Sequence, residues 1–309
     1  MVYNPGIGPF GFNPKHLGRG IESCLYGRAN NIGASASGLS AYFYTPKKGS
    51  LLSEYPLPNT SEDLSGQIAF VTGATSGLGW RFARVLAKTG AKVIATGRRE
   101  ERLSELKEVI EGEGGQLFPY RLDMTDADDI QSVLARATEE VGLITILVNN
   151  AGIPDAQHAH KMSVDLIDRV FDTNLRGPFI LSCEVAKRLI AAESPGRMIN
   201  ISSRGGFLYS GGGAALYSVT KAGIARMSDV LAVEWARNHI NVNCIAPGMV
   251  SSEMLDGMLE RMGDLAKHTP RKRIADPAQL DSTLLYLCSP ASDAVTGATI
   301  NVDDGQGGR

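Results

Sequence analysis

"IAFVTGATSGLGWRFARVLAKTG", Ile68 to Gly90, is the stretch whose reading decides the fold. It opens on an apolar run, Ile68 to Val71, which predicts a strand buried on both faces. Small residues and glycines follow as far as Gly79. Beyond the turn, Leu78, Phe82, Val85 and Leu86 share one helical face, Arg81, Arg84 and Lys88 lie on another, and Gly90 stops the helix. Downstream, "AKVIATG" (91–97), "LFPYRLD" (117–123), "ITILVNNAG" (144–152), "GRMINISS" (196–203), "INVNCIAPG" (240–248) and "ATINVDDG" (298–305) read as further strands. Amphipathic helices separate them, including 164–174, 175–192 and 214–238. Strands alternating with helices predict an α/β chain with a doubly wound parallel sheet of six to seven strands, covered on both faces in three layers.

The chain has 309 residues, 43% hydrophobic and 21% charged, which is enough apolar material for one sizeable core. A net charge of -2 implies no broad attraction to nucleic acid or to an acidic membrane. No apolar run approaches the roughly 18 residues of a membrane span. Cys24, Cys183, Cys244 and Cys288 have no ligand spacing and read as reduced thiols of a cytoplasmic protein. Residues 1–65 differ from the rest: they are rich in Gly, Pro, Asn and Ser and lack a helical or strand period. They read as an arm lying on the globular part or on a partner subunit. An organelle-targeting segment is the alternative; the start "MVYNPGIGPF" lacks the arginines and amphipathic pattern that would favour it. Residues 66–309 are expected to form one domain.

The turn "TGATSGLG" (Thr72–Gly79) joins a strand end to a helix N-terminus. Small residues let backbone approach a pyrophosphate, and free N–H groups with the helix dipole favour its charge. With "NNAG" (Asn149–Gly152) and "YSVTK" (Tyr217–Lys221), this spacing of glycines resembles the short-chain dehydrogenase/reductase family over about residues 66 to 308. The resemblance implies a Rossmann-type fold and a nicotinamide dinucleotide held by Gly73, Thr75, Ser76, Gly77, Leu78 and Gly79. It also implies that Asp123 and Met124 lie near the adenine and that Asn150, Ala151 and Gly152 line the cofactor. Pro247, Gly248, Val250 and Ser252 would flank the nicotinamide, with Ser252 where Thr is more usual. The end of the second strand faces the adenosine ribose, where a carboxylate would bind the 2′-hydroxyl and an arginine a 2′-phosphate. Gly97 stands there, followed by Arg98 and Arg99. NADP is therefore favoured, with Arg98 as the phosphate contact, and NAD is the alternative.

Tyr217 and Lys221 are four residues apart and project from one side of a helix. A free phenol has a pKa near ~10, and an ammonium nearby favours its anion. The pair alone is a common accident of packing; its place after the other motifs gives it weight. The resemblance makes Tyr217 the acid/base, Lys221 its modulator and a contact to the nicotinamide ribose, and Asn174 the holder of a water beside the lysine. It makes Ser203, second of the pair in "INISS", the group that positions the substrate oxygen. The gap from Ser203 to Tyr217 is one residue longer than is common, which leaves Ser202 as an alternative.

The implied reaction moves a hydride between the nicotinamide and a small-molecule carbonyl or secondary alcohol. Specificity is expected in the loops 153–161, 204–214 and 254–272. The resemblance further implies a homo-oligomer, a tetramer or dimer, and Asp304, where Gly is common, is expected to affect subunit contacts. The rival reading is a non-catalytic NADP-binding regulatory protein, which would predict damage to Ser203, Tyr217 or Lys221; all three are present. His158 and His160 lack a third ligand nearby, so no metal is expected.

Overall fold

The computed structural model describes residues 55–209 and 211–307. The N-terminal segment up to residue 54 lies outside the described residues. The fold is a seven-stranded sheet in the order β3-β2-β1-β4-β5-β6-β7. The strands are β1 (Ile68–Thr72), β2 (Lys92–Gly97), β3 (Gln116–Arg121), β4 (Ile146–Asn149), β5 (Gly196–Ile201), β6 (Ile240–Pro247) and β7 (Thr299–Val302). All neighbours pair in parallel. Helices cover both faces: α1 (Gly77–Lys88), α2 (Glu100–Gly112), α3 (Ala127–Val141), α4 (Val164–Phe171), α5 (Gly177–Ala191), α6 (Ala215–Trp235), α7 (Glu253–Met262) and α8 (Asp281–Cys288). The architecture is the Rossmann-type α/β fold read from the sequence.

The apolar strands divide their side chains between two cores. Ala69, Val71, Val93 and Ala95 pack with Phe82 and Leu86 of α1, Leu103 and Leu106 of α2 and Leu284 of α8. Phe70 and Ile94, pointing the other way, pack with Leu134 of α3, Leu181 of α5 and Ile224 of α6. Burial on both faces is why β1 is continuous rather than alternating. β1 lies between β2 and β4, so the connections leave it in opposite directions. That reversal opens a crevice at the carboxyl ends of β1 and β4, where ligands of such sheets bind.

Packing begins ahead of β1. Leu64 is fully buried in the first core, and its N–H donates to the Thr89 carbonyl at 2.8 Å. Ser289 Oγ donates to the Ser61 carbonyl at 2.7 Å. Leu64→Ala should therefore lower stability by about 2–5 kcal/mol in a urea titration, a cost no exposed arm residue would carry.

The helices predicted at 164–174 and 175–192 are joined by a π turn, Asp172–Arg176, rather than separated. The extra residue of a π turn rotates the helix face. Here it places Asn174 inside, 1% exposed. Among the described residues no helix is long and apolar enough to cross a membrane.

Candidate active site

The turn after β1 is built for close approach. Gly73 and Gly77 have φ of 66° and 53°, in the left-handed region. A Cβ on Gly79 would lie 2.2 Å from the Gly73 carbonyl oxygen and 2.5 Å from Asn150 Nδ2. Asn150 Nδ2 donates to the Thr72 and Gly73 carbonyls at 2.9 and 3.2 Å. The Thr72 hydroxyl accepts from the N–H groups of Asn150 and Ala151, both at 3.0 Å. The turn and the end of β4 thus fix each other.

From this turn a cavity of about 680 Å³ runs to the start of α6. Thr75, Ser76, Leu78, Gly97, Arg98, Arg99, Asp123 and Met124 line it at the turn end. Gly152, Ser203, Tyr217, Lys221, Pro247, Gly248, Val250 and Ser252 line the remainder.

At the β2 end a Cβ on Gly97 would lie 2.5 Å from Thr75 Cγ2, so any side chain there would have to displace Thr75. Arg98 makes no side-chain hydrogen bond and no ion pair within 4 Å with the described residues, but its charge acts on Asp123 and favours the ionised form of that carboxyl. Arg99 is engaged: its Nη2 donates to Thr75 Oγ1 and to Glu253 Oε2, both at 3.1 Å. Arg102, one turn on, donates from Nε to the Thr75 carbonyl at 3.3 Å and lies 4.7 Å over the Trp80 ring. Three guanidinium groups therefore gather beside one turn. Asp123 is tied down locally, its Oδ1 accepting from the Thr125 N–H and hydroxyl at 3.0 and 2.9 Å. Ser252 caps α7, its hydroxyl accepting from the Leu255 N–H at 3.3 Å. The Gly248 N–H donates to the Val302 carbonyl at 3.0 Å, and its missing Cβ makes room for the Asp303 backbone.

At the far end, α6 presents Tyr217 and Lys221. Lys221 Nζ donates to the Ile201 carbonyl at 2.7 Å and lies 5.6 Å from the Tyr217 ring centroid. Burial pushes its pKa down to about 8. Tyr217 is half-buried in the cavity wall, and the protein around it desolvates its phenol. That desolvation raises the phenol pKa; a hydrogen bond from Ser203 opposes the rise and the Asp155 charge adds to it. The adjacent serines diverge, as neighbours on a strand end must. Ser203 reaches Tyr217, whereas Ser202 Oγ donates to the Lys221 carbonyl at 2.7 Å and is buried against α6. Asn174 Nδ2 donates to the Ile153 carbonyl at 2.9 Å and its Oδ1 accepts from the Ile153 N–H at 2.8 Å. Nδ2 also donates to Thr220 Oγ1 at 3.2 Å, so this side chain straps the loop after β4 to α6.

A family model described as short chain dehydrogenase matches residues 67–262. The chain belongs to the short-chain dehydrogenase family. It is 34% identical over 243 residues to the 3-oxoacyl-(acyl-carrier-protein) reductase of Thermotoga maritima, covering 78% of this chain and 98% of that one. It is 36% identical to the acetoacetyl-CoA reductase of an Acinetobacter species, covering 77% and 97%. Among solved structures, an actinorhodin polyketide ketoreductase with NADPH matches with a TM-score of 0.75 and 31% identity, covering 78% and 97%. Membership makes the chain an oxidoreductase of the NAD(P)-dependent class.

In this dehydrogenase the residues that the sequence did not single out are Arg102, Asp155 and Glu253. Arg102 follows Arg99 by three residues on one helical face, a signal that was available. Asp155 and Glu253 meet partners far away in sequence, which no local pattern reveals. Asp304, φ 53°, spends its carboxylate within the chain, on Arg273 at 2.7 Å and Arg271 at 3.4 Å. His158 and His160 stack at 6.0 Å, and no metal-binding group of three or more His, Cys, Asp or Glu occurs among the described residues.

Proposed function

We propose that the protein is an NADP-preferring ketoreductase or alcohol dehydrogenase acting on a small carbonyl or secondary alcohol, with Tyr217 as the acid/base. The observation that carries this reading is the Ser203–Tyr217–Lys221 cluster at the end of a cavity that starts on a glycine turn. The turn fits a pyrophosphate, because at Gly73 and Gly79 a side chain would collide with backbone, so the bare turn packs against the α1 N-terminus, whose free N–H groups favour an anion. The nicotinamide, when bound, takes up or supplies the hydride. Ser203 positions the substrate oxygen and stabilises the charge that develops on it. Tyr217 gives that oxygen a proton in reduction and removes one in oxidation. Lys221, cationic below about 8, favours the phenolate. Asn174 holds the loop that closes over these groups.

Arg98 is the phosphate-selecting group in this reading. Its guanidinium makes no hydrogen bond among the described residues and only a longer-range charge contact to Asp123, and a charge-assisted bond to a phosphate contributes about 1.5–3 kcal/mol. Arg98→Ala should raise the KM for NADPH about 10- to 100-fold and leave that for NADH within a factor of about two. Steady-state kinetics with both cofactors check it. A homo-oligomer belongs to the same proposal: α6 leaves Val230 and Val233 exposed, Val233 by 80%, and α5 leaves Phe179 and Ile190.

The test is a panel of β-ketothioesters, including acetoacetyl-CoA, with aliphatic and cyclic ketones and their alcohols. Each is assayed with NADPH/NADP and NADH/NAD by nicotinamide absorbance. Turnover that prefers NADPH is expected. NADPH binding without turnover anywhere in the panel would favour the regulatory reading instead.

A further inference from the structure

Helix α6 carries Tyr217 in its first turn, yet nothing in its own sequence caps it. Ala214 stands at the N-cap without a side-chain bond, and the first turn holds no acidic residue. The orphan N–H groups are met from elsewhere. Asp155, 4% exposed, comes from the loop after β4, and its Oδ2 accepts from the Leu216 N–H at 2.8 Å and the Tyr217 N–H at 3.1 Å. Its Oδ1 accepts from the Ala156 N–H at 2.8 Å, and Ala156 takes φ 50°, a conformation that non-glycine residues adopt at a cost. Gln157 forms a parallel bridge with Ala214, and the missing Cβ of Gly213 admits the Gln157 backbone. The loop 153–157 is thus suspended between Asn174 on one side and the start of α6 on the other.

We propose that Asp155 is a positioning residue for Tyr217: its carboxylate caps α6 from across the cavity and fixes where the phenol stands against Ser203. This inference rests on Tyr217 being the acid/base. An N-cap in the helix's own sequence would serve stability equally well. A cap supplied from the loop does more, because it couples the cavity wall to the backbone N–H of Tyr217 itself. The same carboxylate faces the phenol as a charge. The other charged group facing it is Lys221, on its own helix. Ser203, from the end of β5, and Asn174 and Thr220, which pack beside the site, are uncharged. Cys244 on β6 acts on Lys221, and burial pushes its thiol up to about 11, so it is neutral. Asp155 therefore holds the phenol in place while opposing its ionisation, the sense required of an acid in carbonyl reduction.

Two substitutions separate the roles. Asp155→Asn keeps an amide oxygen that can accept from the helix and removes the charge; Asp155→Ala removes both. In Asp155→Ala, amide exchange at Leu216 and Tyr217 should quicken, and kcat for the best carbonyl of the panel should fall about 10- to 100-fold. In Asp155→Asn, exchange and kcat should stay near the wild type. In both, the pH limb that reports Tyr217 should move to lower pH by about half a unit or more. Phenolate absorbance, taken as the difference between matched proteins with and without Tyr217→Phe, reads the same shift without any substrate. Should the alanine variant fail to fold, the asparagine variant carries the test by its limb and its phenolate titration. Unshifted limbs, or an alanine variant with wild-type exchange and kcat, would overturn the assignment of Asp155. Turnover surviving in Tyr217→Phe would overturn the acid/base reading instead, so the two failures are distinguishable.

Discussion

Tyr217→Phe should abolish carbonyl reduction, lowering kcat by about 10²- to 10⁴-fold, the contribution of a positioned general acid. The substitution removes one oxygen and leaves the ring, so α6 keeps its packing and the NADPH dissociation constant should change by less than about threefold. The loss should therefore appear in kcat with little change in cofactor affinity, which marks an interaction made in the transition state. Burial sets the pH dependence. The phenol is raised, so it stays protonated, and reduction persists, through neutral pH. Alcohol oxidation needs the phenolate and should climb as pH rises. Lys221 acts at lower pH. Its pKa of about 8 means that the charge favouring phenolate is present below that pH and lost above it. Lys221→Met, which removes the charge but keeps the length, should therefore leave the phenolate limb, which lies above that range, in place, and should change rates below pH about 8. Rate profiles of both directions, with stopped-flow binding of NADPH, check these outcomes. Tyr217→Phe with near wild-type kcat would require another acid, and Ser203, whose hydroxyl bonds the Tyr217 side chain, would be the candidate.

The parts of the site that local sequence made legible share a property: their geometry is set by neighbours in the chain. The run Ile68–Val71 needed only continuous apolarity to be read as a strand buried on both faces. Tyr217 and Lys221 needed only the helical repeat to share a side. What stayed hidden depended on which way a side chain turned in three dimensions. Adjacent residues at a strand end point to opposite faces, but the sequence does not say which face meets α6; Ser203 and Ser202 were separable only once β5 lay against that helix. Arg98 and Arg99 posed the same question. The structure leaves the Arg98 guanidinium without a hydrogen bond among the described residues, its charge felt by Asp123, and commits Arg99 to Thr75 and Glu253. The π turn at Asn174 reads in the sequence as the boundary between two adjacent helices, because an inserted residue breaks the apolar period as a helix end does. The burial of Leu64 was missed because one leucine in a polar stretch has no period at all.

Gly79→Ala should both destabilise the fold and weaken cofactor binding, against what helix propensity says. Gly79 lies in the first turn of α1 with ordinary helical φ, and alanine there would by propensity gain up to about 1 kcal/mol. The close approach opposes this. The new methyl would sit 2.2 Å from the Gly73 carbonyl oxygen and 2.8 Å from its carbon, atoms of backbone that no rotamer change can move. Relief requires α1 to shift away from the turn, and overpacking of this kind costs about 1–3 kcal/mol or more. The strain should win, giving a lower urea midpoint. The shift also disturbs the anion cradle, because Gly73 and Asn150 Nδ2, at 2.5 Å from the same methyl, are bonded to each other. NADPH should bind at least about tenfold more weakly, read by fluorescence titration, if even about 1.4 kcal/mol of that strain falls on the binding-competent turn. Gly112→Ala is the matched control. Gly112 ends α2 with nothing within 4 Å of its missing Cβ, so the same chemical change should be neutral or stabilise by up to about 1 kcal/mol and leave NADPH binding intact. If the two variants behaved alike, glycine at position 79 would reflect helix-start conformation alone, and the close packing of α1 on the turn would have no part in holding a pyrophosphate.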